Sequence, residues 1–283
     1  MKDKTNIYKI LCIILLIILI VVLSVWGYTT LVEKSAVDEY QKLQQSVNGG
    51  VDGAGYGTTA ENDDTQNSEV TTANTANSGT DGTDEAQQLP DIPVKNIDWD
   101  ELSSINPDIY AWIYVPGTSI DYPVLQHETD DSYYLSHNMD GSKGRPGCIY
   151  TEKANSKAFT DYNTIIYGHN MKSGAMFRTL HNFEDSTVFD TNKYVYIYTK
   201  EKTFVYEIFS AYTSGAEHIL AKYKFDSPQN MQSYLDDALK QAYNNGYVRK
   251  SVNVDGNSAI ITLSTCTTDS DKRYLVQAVL ING

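Results

Sequence analysis

Residues 10–26 form a run of seventeen residues with no formal charge, apolar throughout except for Cys12 and Ser24. A helix apolar on every side has no solvated face, so it belongs in a bilayer or deep in a large core. At ~1.5 Å rise per residue the run covers roughly 25 Å, and Gly27, Tyr28 and the next turn extend it across a ~30 Å hydrocarbon layer. Lys2, Lys4 and Lys9 precede it. The positive-inside rule therefore predicts a cytoplasmic N-terminus, with the remainder of the chain outside. The rival reading is a cleaved signal peptide, whose apolar region is usually ~7–15 residues ending at a small-x-small site. Here the exit is Leu23-Ser-Val-Trp-Gly-Tyr28, with bulky residues where small ones are needed, which favours an uncleaved anchor over residues 1–34. Cys12, inside this span, reads as a packing residue.

The formal net charge of -14 is unevenly placed: residues 35–94 carry 1 basic and 11 acidic side chains, and residues 95–283 carry 17 and 23. Between Asn48 and Gln88 there is no Lys or Arg, eight acidic residues and a single aromatic, Tyr56. Such a segment buries too little apolar area to offset its ordering entropy. It reads as an acidic, flexible extracellular stem over 35–94, and a ~50-residue coil of this kind would span roughly 40 Å. A short helix is expected at 36–45. The acidic balance excludes general affinity for nucleic acid, which needs clustered Lys and Arg. Three cysteines are too few for a disulfide scaffold and lack zinc-ligand spacing. Neither an H-E-x-x-H pattern nor a calcium-loop spacing is present, so no metal or other cofactor is expected.

After Pro93 the character changes, and 18 of the 22 tyrosines lie in 95–283. β-Branched and aromatic runs predict strands at 111–115, 121–125, 147–150, 164–167, 194–198, 203–212, 258–263 and 274–281. Many short strands with few intervening helices favour an antiparallel barrel or sandwich over an α/β layer fold. One helix is well specified: Met231, Tyr234, Leu235, Ala238, Leu239, Ala242 and Tyr243 make a single apolar stripe. Ser227 is its expected cap, Pro228 suits the first turn and Gly246 the stop. Shorter helices are expected at 98–105 and 175–182.

Cys266 follows the strand-like Ile260-Ile-Thr-Leu-Ser-Thr265 and precedes a polar loop, which sets its sulfur at a strand mouth. Cys148 sits in an apolar run and reads as a buried small hydrophobe; a Cys148–Cys266 disulfide is the structural alternative. A cysteine nucleophile needs a base, because a free thiol of pKa ~8.5 is only a few per cent thiolate at neutral pH. His169, in Thr164-Ile-Ile-Tyr-Gly-His-Asn-Met171, also sits at a strand mouth, beside a glycine that allows close backbone approach. His127, His137, His181 and His218 read as solvated surface residues. Arg273 opens the strand after the Cys266 loop, where its planar fork could return to the thiol and stabilise a developing oxyanion; Lys272 competes but offers only a point charge.

Thr262-Leu-Ser-Thr-Cys266 with Arg273 seven residues on resembles the TLxTC…R signature of sortases, the membrane-anchored cysteine transpeptidases of Gram-positive bacteria. Tyr167-Gly-His-Asn-Met171 is similar to the histidine motif of class B members, as are Ile105-Asn-Pro-Asp108, Trp112, Val115-Pro-Gly-Thr118 and Ile120-Asp-Tyr-Pro-Val124. The resemblance covers residues 96–283. It implies a closed eight-stranded β-barrel over 95–283 with a few peripheral helices. It also implies Cys266 as nucleophile, His169 as general acid/base and Arg273 as oxyanion and substrate stabiliser. The substrates implied are secreted proteins with an LPxTG-like or NPxTx-like sorting motif, with a peptidoglycan precursor amine as acceptor. The alternatives are a pilin-polymerising sortase using a lysine amine, and a tethered barrel that only binds.

Overall fold

Runs of Val, Ile and Tyr across 109–282 pair into nine strands in the computed structural model, which describes residues 2–49 and 89–283. They are β1 (Ile109–Tyr114), β2 (Asp121–Leu125), β3 (Ile149–Thr151), β4 (Asn163–Tyr167), β5 (Tyr194–Tyr198), β6 (Thr203–Gly215), β7 (Gly246–Val248), β8 (Ile260–Cys266) and β9 (Lys272–Asn282). The sheet runs β5-β1-β2-β3-β4-β8-β9-β6 and closes through β5–β6, with β7 appended to β6. Closure leaves the eight barrel strands no open edge, as the resemblance implied. The barrel is mixed rather than antiparallel, because β2 pairs β3 and β4 pairs β8 in parallel. Each parallel pair needs a long return path, and that between β4 and β8 contains β5, β6 and β7.

The helices are α1 (Lys2–Asn48), α2 (Trp99–Ile105), α3 (Tyr133–Ser136), α4 (Ser186–Thr191), α5 (Ile219–Lys222) and α6 (Pro228–Asn245). The helix expected at 175–182 is a 3-10 turn, Phe177–Glu184. α6 begins as its sequence dictates, with Pro228 in the first turn and Ser227 Oγ accepting from the Asn230 amide at 3.3 Å. Its stripe buries Met231, Tyr234, Leu235, Ala238 and Ala242 against Phe209, Tyr212, Ile260 and Leu275. Tyr243, assigned to that stripe, is instead 59% exposed. Gly246 ends the helix for a reason other than a left-handed turn. Its backbone is extended, and a Cβ there would lie 2.1 Å from the Ala211 carbonyl, because the chain passes at once into β7 against β6.

From Leu11 onward helix α1 is long and apolar enough to cross a membrane, and its most apolar 18 residues have mean hydropathy 3.0 and are not covered by protein. Its C-terminal part differs from the expected short helix on a free stem. Ala36, Tyr40, Leu43 and Val47, spaced at helical intervals, are all buried. Gln44 Nε2 donates to the Asp121 carbonyl at 2.8 Å, and Asn48 Nδ2 to Asp121 Oδ2 at 2.8 Å. Asp121 also receives Trp112 Nε1 at 2.6 Å and pairs with Lys95 at 2.7 Å, so α1 is tied to the β1–β2 hairpin. Beyond the intervening segment the chain resumes beside the same helix end: the Asn96 amide donates to the Val47 carbonyl at 3.0 Å, and Lys95 Nζ to Asn48 Oδ1 at 2.7 Å. Residues 35–48, assigned to the stem, are thus part of the folded domain, and segment 50–88 lies outside the described residues. Contacts of residues 36–48 and 95–96 thus hold α1 to the barrel directly.

Candidate active site

The site is built at the ends of two adjacent parallel strands. Register pairs Tyr167 of β4 with Ser264 of β8. His169 and Cys266 each lie two residues further along. Neighbouring strands are ~4.8 Å apart and the side-chain period is two, so equivalent steps beyond one pair present residues on the same side. Two bonds prolong the ladder past its last pair: the Gly168 amide to the Ser264 carbonyl at 3.2 Å, and Thr265 Oγ1 to the Gly168 carbonyl at 2.8 Å. Arg273 stands directly across from Cys266 in the antiparallel β8–β9 pair. The three residues predicted from sequence therefore line one cleft of about 460 Å³, walled by Leu135, Tyr150 and Tyr167.

Each group is held by neighbouring backbone or side-chain partners. The His169 ring places Nε2 2.7 Å from the Leu135 carbonyl. A carbonyl only accepts, so Nε2 carries the proton of the neutral ring and Nδ1 keeps the lone pair. Burial depresses the imidazole below its ordinary value; the Leu135 bond opposes this shift, and the Arg145 charge adds to it. Cys266 is held through its backbone: its carbonyl accepts from Asn170 Nδ2 at 2.8 Å, with His181 Nε2 at 3.0 Å. Asn170 is itself oriented by Arg178 at 3.1 Å, and His181 Nδ1 lies 2.7 Å from Glu184 Oε1. Arg273 Nη1 donates to the carbonyls of Ser270 and Lys272, each at 2.9 Å, so its own turn sets the direction of the fork. Lys272, on the alternate face of β9, turns outward to Asp269 at 3.6 Å.

Cys148 is unlike Cys266. All three cysteines are free, which removes the disulfide alternative. Cys148 is buried, and burial pushes its thiol up to about 12, leaving it protonated and inert at neutral pH. Two histidines read as solvated surface have definite places. His181 meets the Cys266 carbonyl, and His218 lines the cleft with Nε2 2.7 Å from Glu152 Oε1. Only long-range packing brings them there, and no local pattern in the sequence marks them. Asn170 was legible only as the neighbour of His169.

The chain is similar to known proteins in sequence and in fold. Residues 113–281 match the sortase domain. The chain is similar to Sortase B of Listeria monocytogenes, 34% identical over 184 residues, covering 64% of this chain and 73% of that one. Its identity to Sortase B of Staphylococcus aureus is 31% over 186 residues, covering 65% and 74%. Among solved structures, Clostridium perfringens sortase B superposes with a TM-score of 0.59 at 33% identity, covering 65% of this chain and all of that one. A Staphylococcus aureus sortase B–substrate complex superposes with a TM-score of 0.58 at 30% identity, covering 65% and 84%. With the barrel, the strand-mouth cysteine and these likenesses in agreement, the chain belongs to the sortase family of cysteine transpeptidases, in class B.

Proposed function

We propose that Cys266 is the nucleophile, His169 the general acid/base and Arg273 the oxyanion stabiliser of a transpeptidase acting on a sorting motif of the LPxTG-like or NPxTx-like kind. The observation that carries this reading is the convergence of thiol, imidazole and guanidinium on one cleft at the ends of β8, β4 and β9. In the first step the His169 lone pair takes the Cys266 thiol proton, the sulfur bonds to the carbonyl carbon and the peptide C–N bond breaks. The leaving amine takes its proton from His169. In the second, an incoming amine of a cell-wall precursor bonds to the same carbon while the C–S bond breaks, and His169 accepts the proton. The guanidinium offers the tetrahedral oxygen a positive charge and a planar pair of donors.

The apolar part of α1 anchors the enzyme in the cell membrane, with Lys2, Lys4 and Lys9 on the cytoplasmic side and the barrel outside. Trp26 and Tyr28, both exposed, suit the outer interface, where amphipathic rings settle. The test uses the full chain in lipid nanodiscs, incubated with a library of sorting peptides and several amines and read by mass spectrometry. Wild type should yield a thioester adduct on the Cys266 peptide, which an amine discharges. Cys266→Ala should yield neither adduct nor cleavage, and undiminished cleavage in that variant would remove the nucleophile assignment.

A further inference from the structure

The helix that leaves the membrane passes beneath the proposed base. On α1, Tyr40 is 3% exposed, its ring edge-on to Tyr122 at 5.7 Å. Its hydroxyl donates to the Gly147 carbonyl at 3.0 Å and lies 3.1 Å from Cys148 Sγ. Gly147 and Cys148 frame His169 in two ways. Gly147, at φ +67, passes so close to the imidazole that a Cβ there would lie 3.3 Å from His169 Cδ2. The Cys148 amide donates to the Tyr134 carbonyl at 3.0 Å, fixing the peptide next to the Leu135 carbonyl that holds His169 Nε2. The Gly147 amide is satisfied by Asn138 Oδ1 at 3.0 Å, within the same stretch of chain. The Gly147 carbonyl is satisfied from α1, 107 residues away.

Resting on the assignment of His169 above, we propose that Tyr40 is a positioning residue for that imidazole, and hence that the anchor helix is a working part of the catalytic domain. The O–H of Tyr40 fixes the Gly147–Cys148 peptide, and that peptide runs close to the Cδ2 edge of the ring and holds the peptide next to the carbonyl that selects its tautomer. Without the hydroxyl, the Gly147 carbonyl is a buried acceptor lacking its partner, and the peptide turns to find another. The helix backbone also joins this contact to the membrane. From Trp26 to Tyr40 is fourteen residues, or roughly 21 Å at the helical rise. The cleft is thereby held at a set height over the lipid surface, where a membrane-borne acceptor would meet it.

The test compares wild type, Tyr40→Phe and Cys148→Ala as full chains in nanodiscs, with 4-aminophenylalanine at position 40 as a donor-keeping replacement. The readouts are kcat and KM on self-quenched peptides with LPxTG-like and NPxTx-like cores, the NMR titration of the His169 ring, and the melting temperature. Tyr40→Phe should lower kcat about three- to tenfold with KM within about twofold, inside the ~10²-fold that a 1 Å misplacement can cost. Its His169 titration should move up toward the ordinary imidazole value as water reaches the ring. The aminophenylalanine protein should recover most of kcat, and Cys148→Ala, which keeps the Gly147 bond, should match wild type. Wild-type kcat and titration in Tyr40→Phe, with or without a lower melting temperature, would reduce Tyr40 to a packing residue and overturn the proposal. Undiminished kcat in a parallel His169→Gln protein would instead overturn the assignment of His169 on which it rests, so the two failures are distinguishable.

Discussion

Gly168 is the narrowest point beside the active site, and Gly168→Ala is the most demanding test of the geometry. A Cβ at this position would lie 2.5 Å from Ile149 Cδ1 and 2.6 and 2.8 Å from two ring carbons of Phe177. Ordinary carbon–carbon contacts begin at roughly 3.5 Å, so the methyl must displace its surroundings by about 1 Å. Ile149 and Phe177 are both fully buried and cannot retreat into solvent. The strand end itself therefore moves, and it carries His169 in the next residue. The Thr265 Oγ1 and Ser264 bonds that join Gly168 to β8 are pulled in the same motion. Overpacking of this kind costs about 1–3 kcal/mol, and at about 2–4 °C per kcal/mol for a domain of this size the melting temperature should fall by about 2–12 °C. The chemical step should suffer more than the fold: a 1 Å displacement of His169 relative to Cys266 lowers kcat by up to ~10²-fold. Thermal melts and peptide turnover on the full chain measure both. Shortening the obstacle with Phe177→Leu in the same protein should restore part of kcat, as expected for side chains in direct contact. Wild-type kcat in Gly168→Ala would refute the argument that the backbone beside His169 has no room to give.

Arg273→Lys should lose most activity with little loss of stability, since the turn carbonyls of Ser270 and Lys272 orient a fork that an ammonium lacks; single-turnover kinetics would reveal it, and wild-type turnover would make the guanidinium dispensable. Replacing residues 50–88 by about twelve Gly/Ser residues should leave melting temperature and peptide turnover unchanged, because both ends of that segment are tied at Val47–Asn48 and Lys95–Asn96. A collapse of either would mean that the segment itself builds or supports the domain. One contribution to the pH dependence of stability comes from His169, whose folded pKa lies below the unfolded ~6.5. On acidification the unfolded chain takes up this proton first, so its contribution to stability is full above ~6.5 and is lost as pH falls through the folded value. Denaturant titrations from pH 7.5 to 5 should show a shallower acid loss in His169→Gln than in wild type, and identical slopes would contradict the depressed pKa.

Much of the site could be read along the chain because its parts are local. Cys266 and His169 each end an apolar run, and a strand that stops exposes the residues just beyond it. The glycine before His169 signalled close packing, and Ile149 and Phe177 are its packing partners. Missing were the groups that hold these residues: the Leu135 carbonyl, Asn170 and His181 reach the site only through folding. The reading of 35–48 as stem failed for a related reason. Ala36, Tyr40, Leu43 and Val47 fall at helical intervals, but their energy comes from a partner surface that the segment does not contain.

What the sequence by itself determined was whatever depends on near neighbours. That includes the membrane-length apolar run, the strand and helix periodicities, the cap at Ser227, and the chemistry of one thiol, one imidazole and one guanidinium. What the tertiary structure alone decided was whatever depends on closing long loops. It paired β4 in parallel with β8, Asn163 opposite Ile260, and so brought His169 level with Cys266. It also docked the polar end of α1 against the Gly147 peptide. A residue's own backbone preferences and its periodic neighbours are fixed within a few positions. Which distant surface satisfies a buried hydroxyl or carbonyl is settled only when the whole barrel closes and solvent leaves.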